Sequence, residues 1–463
     1  MSLPRRGPIL LVLLIGGFLP PVDVFIVNVA LPSIRAGLGA GPAGLELVIS
    51  GYAAAYAVFL VTGGRLGDLY GRRRMFLLAM AGFTATSVLC GIARSIPTLV
   101  AARILEGVAA AMLVPQVLGA IRALHDGPGQ EAQLARAIGL YGVMVGLAAA
   151  TGQLAGGVLI ALSPFGLGWR AVFLINLPIG AAAILGGIVL LPEAPAEARP
   201  RLDLVGAALL SLALAALLVP LAEGRELGWP PWTLATLGAA PLLAAGFVRF
   251  EAARARSGGM PLFDPRLLAN APFRRGLAVA ALFFFTSAFY LLFAVERQDG
   301  AGLGPLGTGL SILPYGIGLF LGPLATGRLV PRLGARLLAI GLGIEVAGYA
   351  ATGAAVAFGW PRAPLALLVL LAGFGQGIAL PRLFNLVLGA VPARQAGVAA
   401  GAVNSVLQIG ASVSVAAIGS LFFAVLGDAH GAAAYAHAFG IAMIAVTAAL
   451  ATAWALAAGG RRT

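Results

Sequence analysis

The chain contains no lysine; all thirty of its basic residues are arginines. Without lysine no Gly-x-x-x-x-Gly-Lys phosphate loop can form, which excludes a built-in nucleotide motor of that kind. A single cysteine, Cys90, excludes an intramolecular disulfide; it lies in an apolar run and reads as a small packing residue. Charge is scarce, at 10% of residues against roughly 25% in ordinary soluble proteins. Three histidines, His125, His430 and His437, are too scattered for a metal site. No nucleophile–base constellation stands out, so an enzyme is not expected.

What the chain has is apolar length. Of 463 residues 60% are hydrophobic, and mean hydropathy is +0.98. Apolar runs of about 20 residues, enough to span a bilayer, follow one another from end to end. Backbone groups in lipid must be satisfied internally, so repeated runs imply a helical bundle. Spans are expected at 9–31, 45–66, 75–95, 97–122, 135–161, 172–191, 203–222, 233–250, 275–296, 308–330, 336–358, 364–388, 396–426 and 438–457. The first is an uncleaved span, because its apolar run outlasts the core of a signal peptide.

The net charge of +13 would suit a nucleic-acid binder, but its distribution does not. With the N-terminus inside, alternate loops and tails collect 22 arginines on one side and 6 on the other. That asymmetry predicts a multi-pass protein of the cytoplasmic membrane with both termini in the cytoplasm. An internal repeat is also visible. GRLVPRLGARLL at 327–338 echoes GRLGDLYGRRRMFLL at 64–78, with Pro331 where the first copy has Asp68. Two halves of six spans, 1–191 and 273–463, are expected around a 192–272 segment holding two extra spans and a basic, proline-rich loop. Parallel halves that rock about a midplane site are one plan for secondary transporters.

Residues 63–74, GGRLGDLYGRRR, pack four arginines and one aspartate around glycines between two apolar runs. Small residues allow a tight turn there, and Asp68 is the lone acid among the arginines. The hairpin resembles the signature loop between spans two and three of the major facilitator superfamily, Gly-x-Leu-Ala-Asp-Arg-x-Gly-Arg-Arg. Gly64, Leu66, Asp68, Gly71, Arg72 and Arg73 match; Gly67 replaces the alanine and Leu69 the basic residue. The resemblance implies a gate at the cytoplasmic side in which Asp68 and Arg72 latch and release.

Four further stretches resemble the fourteen-span drug:proton antiporter branch of that family: VDVFIVNVALPSI (22–34), ARILEGVAAAMLVP (102–115), GWRAVFLINLPIG (168–180) and AGVAAGAVNSVLQIG (396–410). Departures are Phe25 for threonine, Glu106 for glutamine and Leu407 for arginine. The branch's fifth-span motif Gly-Pro-x-x-Gly-Gly reads Gly152, Gln153, Leu154, Ala155, Gly156, Gly157. Gly146, Gly152, Gly156 and Gly157 still permit close helix contact. The missing proline removes a kink and keeps symport or facilitated passage of a metabolite open beside antiport.

An acid near the bilayer centre costs at least ~2.5–3.5 kcal/mol and is a functional candidate by default. Asp23 is the first such acid, able to alternate between a proton and a cation; its bland reading is a structural partner for Arg103. Arg103 and Glu106 sit one turn apart and can meet on one face, either as a self-neutralising pair or as a device that tunes Asp23, as the resemblance implies. Glu106 is an added acid in position to touch substrate. Glu345, inside the eleventh span, is a further substrate candidate; its structural reading is a pair with Arg382. Glu296 beside Arg297 reads as a solvated pair at a span end, and Glu46 as an acid at a helix N-terminus. Asn28, Asn404 and Gln408 are substrate candidates, though such residues more often join helices. The aromatic run at 283–290 reads as core or lipid-facing surface.

Together these features predict proton-coupled efflux of lipophilic, cationic small molecules. The gradient is the energy source, no cofactor is needed, nucleic acid is no partner, and the unit is a monomer. Two rivals stay open: a metabolite symporter or facilitator, and a membrane sensor or scaffold with no transport cycle.

Overall fold

A computed structural model describes residues 6–125, 130–192, 203–224, 228–257, 261, 265–334, 336–391 and 396–459, and among these there is no strand. The first repeat is α1 (Arg6–Leu38), α2 (Pro42–Tyr70), α3 (Arg72–Gly91), α4 (Ile96–Leu124), α5 (Glu131–Leu162), the short α6 (Ala171–Leu174) and α7 (Asn176–Leu190). Then come α8 (Leu204–Glu223) and α9 (Pro231–Arg256). The second repeat is α10 (Ala271–Phe283), α11 (Ser287–Val295), α12 (Pro305–Leu333), α13 (Arg336–Ala357), α14 (Arg362–Leu388), α15 (Ala396–Leu426) and α16 (Ala432–Gly459). Among the described residues twelve helices are long and apolar enough to cross a membrane, and Gly44–Leu60 within α2 and Val205–Leu221 within α8 are shorter apolar stretches.

The repeat is regular at the level of helix ends. The offset of 263 residues that carries Gly64 onto Gly327 also carries α2 onto α12 from first residue to last, Pro42 onto Pro305 and Tyr70 onto Leu333. Gly71 and Gly334, at φ 91° and 50°, end these two helices in a backbone conformation that a side chain would strain. The first helix of the second repeat is not continuous. A tight turn at Phe284–Thr286 separates α10 from α11. Ser414 of α15 inserts there, its Oγ donating to the carbonyl of Phe285 (2.5 Å) and accepting from the amide of Ala288 (3.4 Å). A side chain placed in the helical ladder is a recognised cause of such a break.

The repeats meet most extensively along two seams, α5 on α12 and α2 on α15. Glycine makes the first seam close. A Cβ at Gly146 would lie 2.9 Å from Phe320 Cα, one at Gly157 2.9 Å from the carbonyl of Pro305, and one at Gly316 2.4 Å from Ala150 Cα. Gly152 and Gly156 instead face α1, within 2.9 and 3.0 Å of the carbonyls of Val22 and Ile26. The four glycines therefore divide between two partners rather than forming one face.

At the end opposite Arg72–Arg74 the repeats are bridged by Arg35 on Asp299 (3.0 Å) and by Gln298 Nε2 on the carbonyl of Val29 (3.0 Å). Glu296 pairs with Arg297 nearby, yet it is only 3% exposed, so the expected solvated pair is a buried one. The cause is a wide helical turn at Glu296–Gly300, where Gly300 seats against Tyr435 of α16. The extra hairpin α8–α9 rests on α2 and α15, across the second seam, and Arg254 near the end of α9 pairs with Asp203 just before α8 at 3.0 Å.

Candidate functional site

Five helices of the first repeat converge on one arginine. α1 carries Asp23 and α4 carries Arg103 and Glu106 one turn apart; these three are 0%, 1% and 0% exposed. Arg103 Nη1 donates to both acids, to Asp23 Oδ2 and, at 2.7 Å, to Glu106 Oε2. Its Nε reaches the carbonyl of Val48 on α2 (3.1 Å), and its plane lies 4.3 Å over the ring centroid of Tyr52. An arginine taken out of water needs this degree of satisfaction, and the stacked ring supplies cation–π attraction.

The remaining two helices hold the acids from behind. Asn176, the first residue of α7, donates to Asp23 Oδ1 (3.3 Å) and to Ser87 Oγ of α3 (2.9 Å). Ser87 in turn donates to the carbonyl of Phe173 (3.0 Å), and Cys90 Sγ lies 3.4 Å from Glu106 Oε2 as donor. Glu106 Oε1 and Asn176 Oδ1 have no hydrogen-bond partner. Two carboxyl groups thus share one guanidinium in a buried site. With both ionised the site would hold one uncompensated negative charge, which burial penalises heavily. One proton removes that charge, so the arrangement is chemically suited to take up and release a proton.

Sequence reasoning named Asp23, Arg103 and Glu106, and the structure brings them together. It missed Asn176, Ser87, Tyr52 and Cys90. Asn176 left a signal, a polar residue two before Pro178 within a quoted motif; the other three are neutral residues in apolar runs and left none. Asn28 is placed elsewhere: its amide donates back to the carbonyl of Val24 (2.7 Å) on its own helix. Asn404 and Gln408 are half-buried one turn apart on α15, in the second repeat. Glu345 lies on α13, also outside the cluster, and it is not paired with Arg382. Glu345 abuts Gly375, seven residues before Arg382 on α14. At 1.5 Å per residue the two are about 10 Å out of phase.

The site and the repeat architecture can be set against known proteins. The sequence profile described as Major Facilitator Superfamily matches residues 13–415. The chain belongs to the Major Facilitator Superfamily. It is 40% identical over 440 residues to the probable actinorhodin transporter of Streptomyces coelicolor, covering 92% of this chain and 74% of that one. To the tetracenomycin C resistance and export protein of Streptomyces glaucescens it is 33% identical over 436 residues, covering 92% and 77%. In fold it resembles the crystal structure of a bacterial homologue of the human lysosomal transporter Spinster in an inward-facing, occupied conformation. That match has a TM-score of 0.68 at 18% identity and covers 100% and 98% of the two chains. The protein is accordingly a multi-pass membrane transporter of small molecules and not an enzyme.

The transporter's loop between α2 and α3 is held by its arginines. Arg72 lies across Gly119 of α4, and Arg73 Nη2 donates to the carbonyl of Ile188 near the end of α7 (2.7 Å). Gly64 is loosely packed, with only Pro115 Cβ within 4 Å, whereas Gly63 and Gly67 are tight against α4. The side chain of Asp68 lies outside the described residues. A Cβ at Gly67 would fall 1.8 Å from Gln116 Oε1, and the Gln116 amide already donates to the carbonyls of Gly63 (2.7 Å) and Met112 (2.9 Å). Gly67→Ala, the residue of the family pattern, is therefore expected to displace Gln116 and cost about 1 kcal/mol, the net worth of a buried hydrogen bond. Thermal unfolding should show the loss in the single variant and little further loss when Gly67→Ala is added to Gln116→Ala. Equal losses in both backgrounds would refute the clash.

Proposed function

We propose that this transporter is a fourteen-span, proton-driven exporter of lipophilic, cationic small molecules in the cytoplasmic membrane, working as a monomer with both termini in the cytoplasm. The observation that carries the reading is the buried site in which Asp23 and Glu106 share Arg103. One proton neutralises the site. Its release leaves a negative charge for which a cation can compete, so proton and substrate exclude one another, as antiport requires. The relatives named for transport, resistance and export of antibiotics favour small molecules moved outward. The two shorter apolar helices bring the twelve long ones to fourteen, and the arginine asymmetry favours the stated orientation.

Inverted vesicles with an imposed proton gradient test this, with ethidium as the lipophilic cation. Wild type should move ethidium only while the gradient stands. Asp23→Asn keeps the shape and loses the titratable group, and is expected to lower the gradient-driven rate roughly a hundredfold, the order of a lost acid–base group. Wild-type vesicles that move no ethidium would sink export of cations. Gradient-driven movement that survives in Asp23→Asn would take the coupling away from Asp23.

A further inference from the structure

The 263-residue offset has a counterpart inside the membrane. It carries Asp23 onto Thr286 and Tyr52 onto Tyr315, so the second repeat holds an image of the first site in which the acid is replaced by an alcohol. That image is a closed chain of neutral hydrogen bonds. Tyr349 donates to Tyr315 Oη (2.8 Å), Tyr315 donates to Gln376 Oε1, and Gln376 Nε2 donates to Thr286 Oγ1 (3.2 Å). All four side chains are buried. The aromatic ring of Tyr290 stands edge-on to Tyr315 at 5.2 Å and to Phe25 at 5.1 Å, which joins this network to the helix that carries Asp23.

A fully buried acid of the second repeat stands beside this chain, one turn before Tyr349 on α13. Glu345 is 0% exposed, and neither of its carboxyl oxygens has a hydrogen-bond partner. Its backbone is pressed against α14, where a Cβ on Gly375 would lie 2.5 Å from the Glu345 nitrogen. The ionisable groups within its electrostatic reach are Tyr290 of α11, Tyr315 of α12 and Tyr349 of α13. From α14 they are Arg382, seven residues along from the contact with its Nε making no bond, and the exposed Arg362 at the helix start, thirteen residues before the contact. From α16, which also packs on α13, they are Tyr435 and His437, in the helix's first two turns. A bare carboxylate here would give up its hydration for no cation and no donor, at a cost of many kcal/mol that a bound proton avoids. Structural acids in cores are tied down by partners; this one is not, and an unpartnered acid inside a span is a functional candidate by default.

We infer that Glu345 is a second proton-carrying acid of the transporter, set in the repeat opposite Asp23 and holding its proton in the conformation seen here. When α13 and α14 part, water reaches the carboxyl, the O–H bond breaks, the proton leaves on water, and the carboxylate is reprotonated before the helices close again. Its use in transport rests on the proton-coupled reading above, but its proton exchange does not.

The infrared absorption of protonated carboxyl groups tests the inference on the full chain in lipid bilayers, with no substrate present. Wild type should show a buried carboxylic acid band at neutral pH that Glu345→Gln removes, that Glu345→Asp shifts, and that fades reversibly as pH is raised. A carboxyl spectrum unchanged in Glu345→Gln, or a Glu345 band that persists at every pH at which the protein stays folded, would overturn it. Glu345→Asp keeps the test open if the glutamine variant does not fold. Ethidium efflux then reads the coupling: Glu345→Gln should lower the gradient-driven rate about tenfold, or about 1.4 kcal/mol in barrier, and Glu345→Asp should restore part of it. A Glu345→Gln rate equal to wild type would also overturn the inference. If wild type moves no ethidium, the proposed export fails, and the infrared titration alone decides the proton site.

Discussion

Replacing Arg103 by methionine should cost the transporter about 3–5 kcal/mol of stability, the penalty of breaking a buried ion pair by removing one partner. Methionine fills much of the space but leaves Asp23 Oδ2, Glu106 Oε2 and the carbonyl of Val48 without the donor that now serves all three. The apolar side chain keeps its contact with Tyr52, so packing alone accounts for little of the loss. The measurement is thermal unfolding of purified protein in detergent, with Asp23→Asn and Glu106→Gln added singly and together. Each neutralised acid removes part of the uncompensated charge, so the triple variant should regain most of the stability lost in Arg103→Met while remaining inactive in gradient-driven efflux. That recovery is non-additive by construction, as residues sharing one partner require. Losses that simply add across the three positions would show that the acids do not depend on Arg103, and the shared-proton account of the site would go with them.

The same site shows what a sequence can and cannot reveal. Asp23, Arg103 and Glu106 were legible because charge in an apolar run is expensive and so stands out. Their mutual contact was half legible: the spacing of Arg103 and Glu106 places them on one face, while the approach of Asp23 depends on how α1 crosses α4. Ser87 and Tyr52 were not legible, since a neutral residue in a span costs little and its partner is chosen by tertiary packing. Glu345 and Arg382 show the converse error. Opposite signs on adjacent spans invite pairing, but the register of two packed helices is set by where their glycines let them touch, here Gly375 against the backbone of Glu345. Glu296 failed as a solvated pair for a similar reason, since the turn that buries it is a backbone event. The overall fold was far easier to read. Apolar length, arginine asymmetry and the echoed hairpin are properties of the chain itself, and the 263-residue offset adds that the echo extends to whole helices.

Gly157→Val is expected to reduce gradient-driven ethidium efflux by roughly an order of magnitude and to destabilise the fold by about 1–3 kcal/mol, the range for overpacking a close contact. The reason lies in what faces the glycine. A Cβ there would meet the carbonyl oxygen of Pro305 at 2.9 Å and Leu306 Cα at 3.1 Å, both backbone atoms of α12 that cannot rotate aside. The helices would have to separate along a seam that Gly146, Gly309 and Gly316 keep equally close, at 2.9, 2.8 and 2.4 Å. Small residues at such a crossing let backbones touch without interlocking side chains. This seam joins the two repeats, so a transport cycle in which the repeats rock against one another needs it to hold. A branched side chain would both widen the seam and roughen it, and transport should suffer more than stability. Gly142→Ala on the same helix is the control: nothing lies within 4 Å of its Cβ position, and alanine favours the helix by up to about 1 kcal/mol. It should transport like wild type and unfold no earlier. If Gly157→Val behaves like Gly142→Ala, the α5–α12 seam does not constrain the motion. If both variants lose transport while remaining folded, α5 itself, rather than its contact with α12, is what cannot tolerate change.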